Sequence, residues 1–175
     1  MTADEIIAYL DLSPLPIEGG FFRVSYLSDE CIPASALPRR YQGDRRAGNA
    51  IFFLETAEQF SAMHTLATDE NYYFHYGDAI EMLLLHPDGR GELKYLGCDF
   101  AQGEMPQICV PYGVCHGSRP RAGGAFGFSL VGTSMAPGYA ENDVMFPERK
   151  ALHSAYPEWG RYIDALTRSH AVNTA

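Results

Sequence analysis

From Ala50 to Thr133 the chain is a succession of short β-branched and aromatic runs, closed off by glycine, proline, asparagine and aspartate. That punctuation limits the fold more than any other feature. Strands are expected over residues 50–56, 60–66, 71–76, 79–86, 91–97, 105–110, 114–119 and 125–133. His86-Pro87-Asp88-Gly89-Arg90-Gly91 is a turn, because proline presets φ and glycine accepts positive φ. Gly123-Gly124 reads as a hairpin turn rather than a phosphate cradle. Many short strands with such turns build an antiparallel sandwich or barrel, not a βαβ fold.

Before this region, Thr2-Ala-Asp-Glu5 has capping-box spacing and opens a short amphipathic helix over about 3–12. Ser13-Pro14 and Pro16 stop it. Phe21 to Leu27 is expected as the first strand. Residues 29–49 read as a loop carrying Arg39, Arg40, Arg45 and Arg46. Those arginines suit either a lid offering cations to an anionic ligand or a solvated loop. Pro157 stands at the first turn of a closing helix over about 157–168. The last residues are expected to fray. One domain, 1–175, follows, with its barrel over about 18–150.

A net charge of −9 argues against a phosphate backbone as partner, so no nucleic acid is expected. No apolar run could span a bilayer, and the N-terminus lacks a signal-peptide pattern. The expectation is a cytoplasmic protein with no membrane partner. Cys31, Cys98, Cys109 and Cys115 lack CxxC spacing and read as reduced, mostly buried thiols. Cys115, next to His116, is a small buried side chain or else a ligand or nucleophile. No Gly-x-Ser-x-Gly, Walker loop or dinucleotide fingerprint is present.

Two segments carry the chemistry. The first is His64, Glu70 and Gly77; the second is Pro111-x-Gly113-x-x-His116. Two imidazoles and one carboxylate form the ligand set suited to a non-haem divalent metal. The same residues could instead satisfy one another in a buried core. Strand alternation from Glu70 places Tyr72, Phe74 and Tyr76 on its face, as an aromatic wall. His75 falls on the opposite face unless a β-bulge reverses it. Glu81, among Ile80, Met82 and Leu83, needs a partner if buried, and is a candidate second carboxylate. Asp78 serves the turn after Gly77. Arg23, among Phe21, Phe22 and Tyr26, needs either a structural acid or a ligand anion. Tyr26 and Tyr139 could donate protons in a metal-free mechanism.

The two segments resemble the cupin superfamily, with Leu66 where the first cupin motif has its second histidine. Pro16-Ile-Glu18-Gly19-Gly20-Phe21-Phe22-Arg23, Thr68-Asp69-Glu70, Phe74-His75-Tyr76-Gly77-Asp78, Gly103-Glu104-Met-Pro106-Gln107 and Ala136-Pro137-Gly138-Tyr139 are similar to cupin family five, over about residues 3–160. The resemblance implies an all-β jelly roll with short flanking helices, a homodimer, and a small-molecule ligand inside the barrel. It implies His64, Glu70 and His116 as catalytic and metal-holding residues. Arg23, Tyr72, Phe74, His75, Tyr76 and Glu81 would line the pocket. The metal would be iron, manganese, nickel or zinc, and no organic cofactor is expected. Three readings stay open: a metal-dependent enzyme on a small polar or anionic organic substrate, a metal-free isomerase or epimerase on a sugar-like ligand with His64 as base, or a non-catalytic binding protein.

Overall fold

The computed structural model describes residues 1–168. Among them, α1 spans Ala3–Leu10, capped at Thr2 by the expected reciprocal bonds with Glu5. Twelve strands follow among the described residues: β1 Ser13–Pro14, β2 Phe21–Leu27, β3 Cys31–Ile32, β4 Arg45–Arg46, β5 Asn49–Thr56, β6 Ser61–His64, β7 Glu70–Gly77, β8 Ile80–Leu85, β9 Gly91–Leu96, β10 Gln107–Val110, β11 Cys115–Pro120 and β12 Phe128–Met135. The chain then forms α2 Arg149–Ala155, a 3₁₀ turn at Pro157–Trp159 and α3 Gly160–Leu166. The helix at 149–155 is not foreseen in the sequence reading, and the closing helix begins after the proline turn rather than at Pro157.

Among the described residues, the pairings between these strands are antiparallel. A six-stranded sheet, in the order β1-β2-β5-β12-β7-β10, faces a four-stranded sheet, β6-β11-β8-β9. Between them lies a core that includes Phe53, Tyr72, Ile80, Met82, Leu84 and Val131. β8 shows why its sequence is an unbroken apolar run rather than an alternating one. Met82 and Leu84 point into this core, while Leu83 and Leu85 point the other way, onto Leu152, Ile163 and Leu166 of the two C-terminal helices. A strand covered on both faces needs no polar side. On the far side of the six-stranded sheet, Ile6 of α1 packs on Leu54 and Phe128.

The segment expected as a loop holds the small β3–β4 ribbon, and Arg40, Arg45 and Arg46 in it bond to the fold. Buried Arg45 donates to Asp143 Oδ2 at 2.9 Å and to the carbonyls of Gln42, Gly43 and Asp44. Arg40 donates to the Ala67 carbonyl at 2.8 Å and lies 4.1 Å from the Tyr112 ring centroid. Arg46 donates to the Asp29 carbonyl. The thiols also depart from expectation: Cys31, Cys98 and Cys109 are exposed, and only Cys115 is buried. No helix among the described residues is long and apolar enough to cross a membrane.

Candidate metal centre

The second motif segment is a tight turn. The Val114 N–H donates to the Pro111 carbonyl at 3.2 Å, with Gly113 at φ 75°. Positive φ at that position is what glycine supplies at low cost. The turn is stitched to the first segment: Gly113 N–H donates to the Leu66 carbonyl at 2.9 Å, and Tyr112 N–H to Asp69 Oδ1 at 2.8 Å. These bonds draw residues more than forty apart in sequence into one corner of the sandwich. His116 on β11 then becomes the cross-strand partner of His64 at the end of β6, with ring centroids 4.2 Å apart. Glu70, the first residue of β7, reaches across from the facing sheet.

All three residues are buried. One ligand atom from each lies within 4.8 Å of the other two. His64 Nδ1 sits 2.8 Å from the Ala62 carbonyl. A carbonyl only accepts, so Nδ1 carries the proton and Nε2 keeps its lone pair. Burial holds the His64 pKa below its usual value, outweighing the charges of Glu18 and Glu70. His116 faces an acceptor on each side: Nδ1 is 3.3 Å from the Val114 carbonyl and Nε2 is 3.3 Å from Glu70 Oε2. A cation, either a proton or a metal ion, satisfies the pair at Nε2. Burial pushes the Glu70 carboxyl up, but His116 and His64, with a hydrogen bond from Thr133, bring it below the usual value. The Tyr72 hydroxyl lies 3.2 Å from His116 Nε2, and burial beside the carboxylates raises its pKa well above the usual one.

The donor set fits a divalent metal. Bonds of about 2.0–2.2 Å at right or tetrahedral angles hold donor atoms about 2.8–3.6 Å apart. The 3.3 Å between His116 Nε2 and Glu70 Oε2 is already at that spacing. Beside the three donors lies a cavity of about 120 Å³, walled by apolar side chains such as Phe22, Ile51 and Leu66 together with Glu18, Thr133 and Tyr139.

Residues 4–147 match the family model described as Cupin superfamily (DUF985). The chain belongs to this cupin family. It is similar to a protein of Shewanella oneidensis solved by X-ray crystallography, at 34% identity over 97% of this chain and 99% of that one, with a TM-score of 0.84. A hypothetical protein from Leishmania major is 28% identical over 97% of this chain and 100% of its own, with a TM-score of 0.83. A Bacillus subtilis oxalate decarboxylase variant shares the fold, at 14% identity over 91% of this chain and 39% of that one, with a TM-score of 0.51. No curated protein matches the chain. With these neighbours, the antiparallel sandwich is a cupin jelly roll.

Against that cupin frame, the expected site residues divide. His64, Glu70, His116 and Tyr72 come together, and Phe74 packs at the edge of the inner core. Four others lie elsewhere. Phe74 pairs with Val131 but Tyr76 pairs with Leu130, so His75 is the extra residue of a β-bulge. The bulge turns Tyr76 outward, where its ring lies 5.1 Å from Phe126 and 6.0 Å from Phe128. His75 keeps its outward face and packs edge-on against Phe52 at 6.2 Å. Arg23 is exposed and lies over the same Phe52 ring, 5.6 Å from its centroid. Glu81 points away from the core and takes an ion pair from Arg119 at 3.0 Å. Asp78 clasps the turn before β12, accepting from the Phe126 and Gly127 N–H groups. Cys115 faces the C-terminal helices, and burial pushes its thiol up to about 12, which leaves it inert.

Two acids near the site, Glu18 and Glu55, are not among the expected site residues. Glu18 lies in the cavity wall, where burial raises its carboxyl above the usual value. Glu55 crosses the sandwich to accept from Ser118 Oγ at 2.6 Å, while its Oε2 is buried without a hydrogen-bond partner. Burial pushes the Glu55 carboxyl from 4.5 to about 8, so it is neutral at neutral pH. A signal existed for Glu55: it is the lone acid in an apolar strand, two residues from Phe53 and therefore on its inward face. Glu18 carried no comparable spacing.

Proposed function

We propose that this cupin is a metal-dependent enzyme acting on a small polar organic molecule bound in the cavity. One observation carries the reading: two histidines and a carboxylate, all buried, converge from facing sheets beside a mostly apolar cavity. His64, Glu70 and His116 would hold a divalent iron, manganese, nickel or zinc ion. When bound, that ion supplies Lewis-acid polarisation, at positions that three protein ligands leave open.

The remaining chemistry belongs to the chain. The Ala62 and Val114 carbonyls orient the two imidazoles through their Nδ1 protons. Thr133 orients Glu70 by donating its hydroxyl proton to the carboxylate. The Tyr72 hydroxyl keeps its proton at physiological pH and presents it within the site, beside His116. Phe22, Ile51, Phe53 and Leu66 wall the cavity with apolar side chains, which lowers the dielectric around these polar contacts.

The test is elemental analysis of tag-free protein beside His116→Ala, before and after anaerobic incubation with each of the four metals. Near-stoichiometric metal in the parent, lost in the variant, is the expected result. No metal under any loading defeats the proposal. The pairing of the Tyr72 hydroxyl with His116 Nε2 supports a second reading, metal-free proton transfer on a sugar-like ligand. That reading requires activity to survive chelation.

A further inference from the structure

Among the described residues, no lysine or arginine lines the cavity; its ionisable members are Glu18, His64, Glu70, Tyr72 and Tyr139. Arg168, which packs against the Glu18 backbone, is turned to other work. It donates to the carbonyls of Glu18 at 3.4 Å and Phe60 at 2.9 Å, and opens onto a separate groove outside the sandwich.

Glu18 is placed in the wall by an unusual stretch of backbone. Gly19 and Gly20 have φ of 98° and 73°. A Cβ on Gly19 would stand 2.5 Å from the Phe60 carbonyl oxygen, and one on Gly20 2.5 Å from the Phe53 ring. Only glycine fits either position. The Glu18 carbonyl is pinned by the Ala62 N–H at 2.9 Å, and its Oε1 accepts from Ser61 Oγ at 2.8 Å. A carboxylate held by one oxygen keeps further lone pairs for a donor inside the cavity.

We propose that Glu18 is the ligand-binding carboxylate of this cavity, and that the cavity selects small uncharged or cationic molecules bearing O–H or N–H donors over carboxylates and phosphates. The inference rests on the cavity being the substrate site, and it narrows the substrate class. A hydroxyl or ammonium donor gains a hydrogen bond to the Glu18 carboxyl oxygen that Ser61 leaves free. An anion leaves water to meet two carboxylates and finds no cationic side chain. A divalent ion held by His64, Glu70 and His116 would bring positive charge beside the carboxyl groups of Glu70 and Glu18. The cavity has a volume of about 120 Å³. The ligand, or the part of it that enters, is therefore small.

Three molecules of matched size test this: propane-1,2-diol, 1-aminopropan-2-ol and lactate. Their affinities are measured by protein-observed NMR on chelator-treated protein and again after metal loading, for the parent and Glu18→Gln. In the parent, the diol and the amino alcohol bind at least about tenfold more tightly than lactate in both states. In Glu18→Gln, that preference shrinks below about threefold, with the spectrum of the fold and the metal content unchanged. Glutamine still accepts from Ser61, so the backbone placement survives. Lactate matching the diol in the parent overturns the proposal, as do a preference intact in Glu18→Gln, loss of metal in that variant, or no saturable binding by any of the three. Failure of the parent to take up metal sinks the metalloenzyme reading but leaves the chelated-protein preference standing.

Discussion

Replacing Glu55 with glutamine isolates a buried acid whose cost to the fold depends on pH. In the folded protein its carboxyl titrates at about 8, against 4.5 in a solvated chain. The folded state therefore holds the proton more tightly than the unfolded one. Stability from this group is complete below the unfolded value and is lost as pH rises from there through the folded value. At about 1.36 kcal/mol per pKa unit, the full loss is roughly 4–5 kcal/mol. Between about pH 5 and about pH 8 the loss is roughly 3–4 kcal/mol. Glutamine mimics the protonated acid: its oxygen still accepts from Ser118, and its amide takes the place of the unpartnered Oε2. Thermal unfolding followed by circular dichroism should give near-equal midpoints at about pH 5. At about pH 8 the variant should melt roughly 6–16 °C above the parent, given about 2–4 °C per kcal/mol for a chain of this size. Besides burial, Glu18 and Glu70 push Glu55 up through their charges, so the difference between the two profiles reports Glu55 together with that coupling. Parallel profiles across this range would refute the reasoning, because a Glu55 that ionises at its ordinary value imposes no such slope.

Three further outcomes are expected. Glu70→Gln should lose most bound metal by elemental analysis while keeping the fold, since the amide can still accept from Thr133 but ligates weakly. Leu66→His should tighten metal binding at least about tenfold in competition with a chromophoric chelator, because Leu66 lines the cavity where the cupin motif places a fourth ligand. Asp143→Ala should destabilise by about 3–5 kcal/mol, measured by urea unfolding, because it strands the buried Arg45 guanidinium.

Much of this protein can be read directly from its residues. Strand positions followed from turn residues and β-branched runs, which act over a few residues: the expected 21–27 strand matches β2, and 50–56 differs from β5 by one residue. The candidate metal ligands were legible because a fixed spacing around Gly77 and Gly113 carries a local geometry. Gly77, at φ 99° with the Phe128 carbonyl 2.3 Å from any added Cβ, shows why that position is glycine. Tertiary structure decided what depends on facing and on distant neighbours. One bulge residue at His75 turned Tyr76 to the outside, and strand parity counted from Glu70 has no way to register it. Alternation along β8 and β2, with Met82, Leu84 and Phe22 on the core side, put Glu81 and Arg23 on the outer faces, where Arg119 and the Phe52 ring meet them. Glu18 and Glu55 acquired their surroundings only when the two sheets closed over them, because desolvation is a property of the assembled interior and not of any stretch of chain.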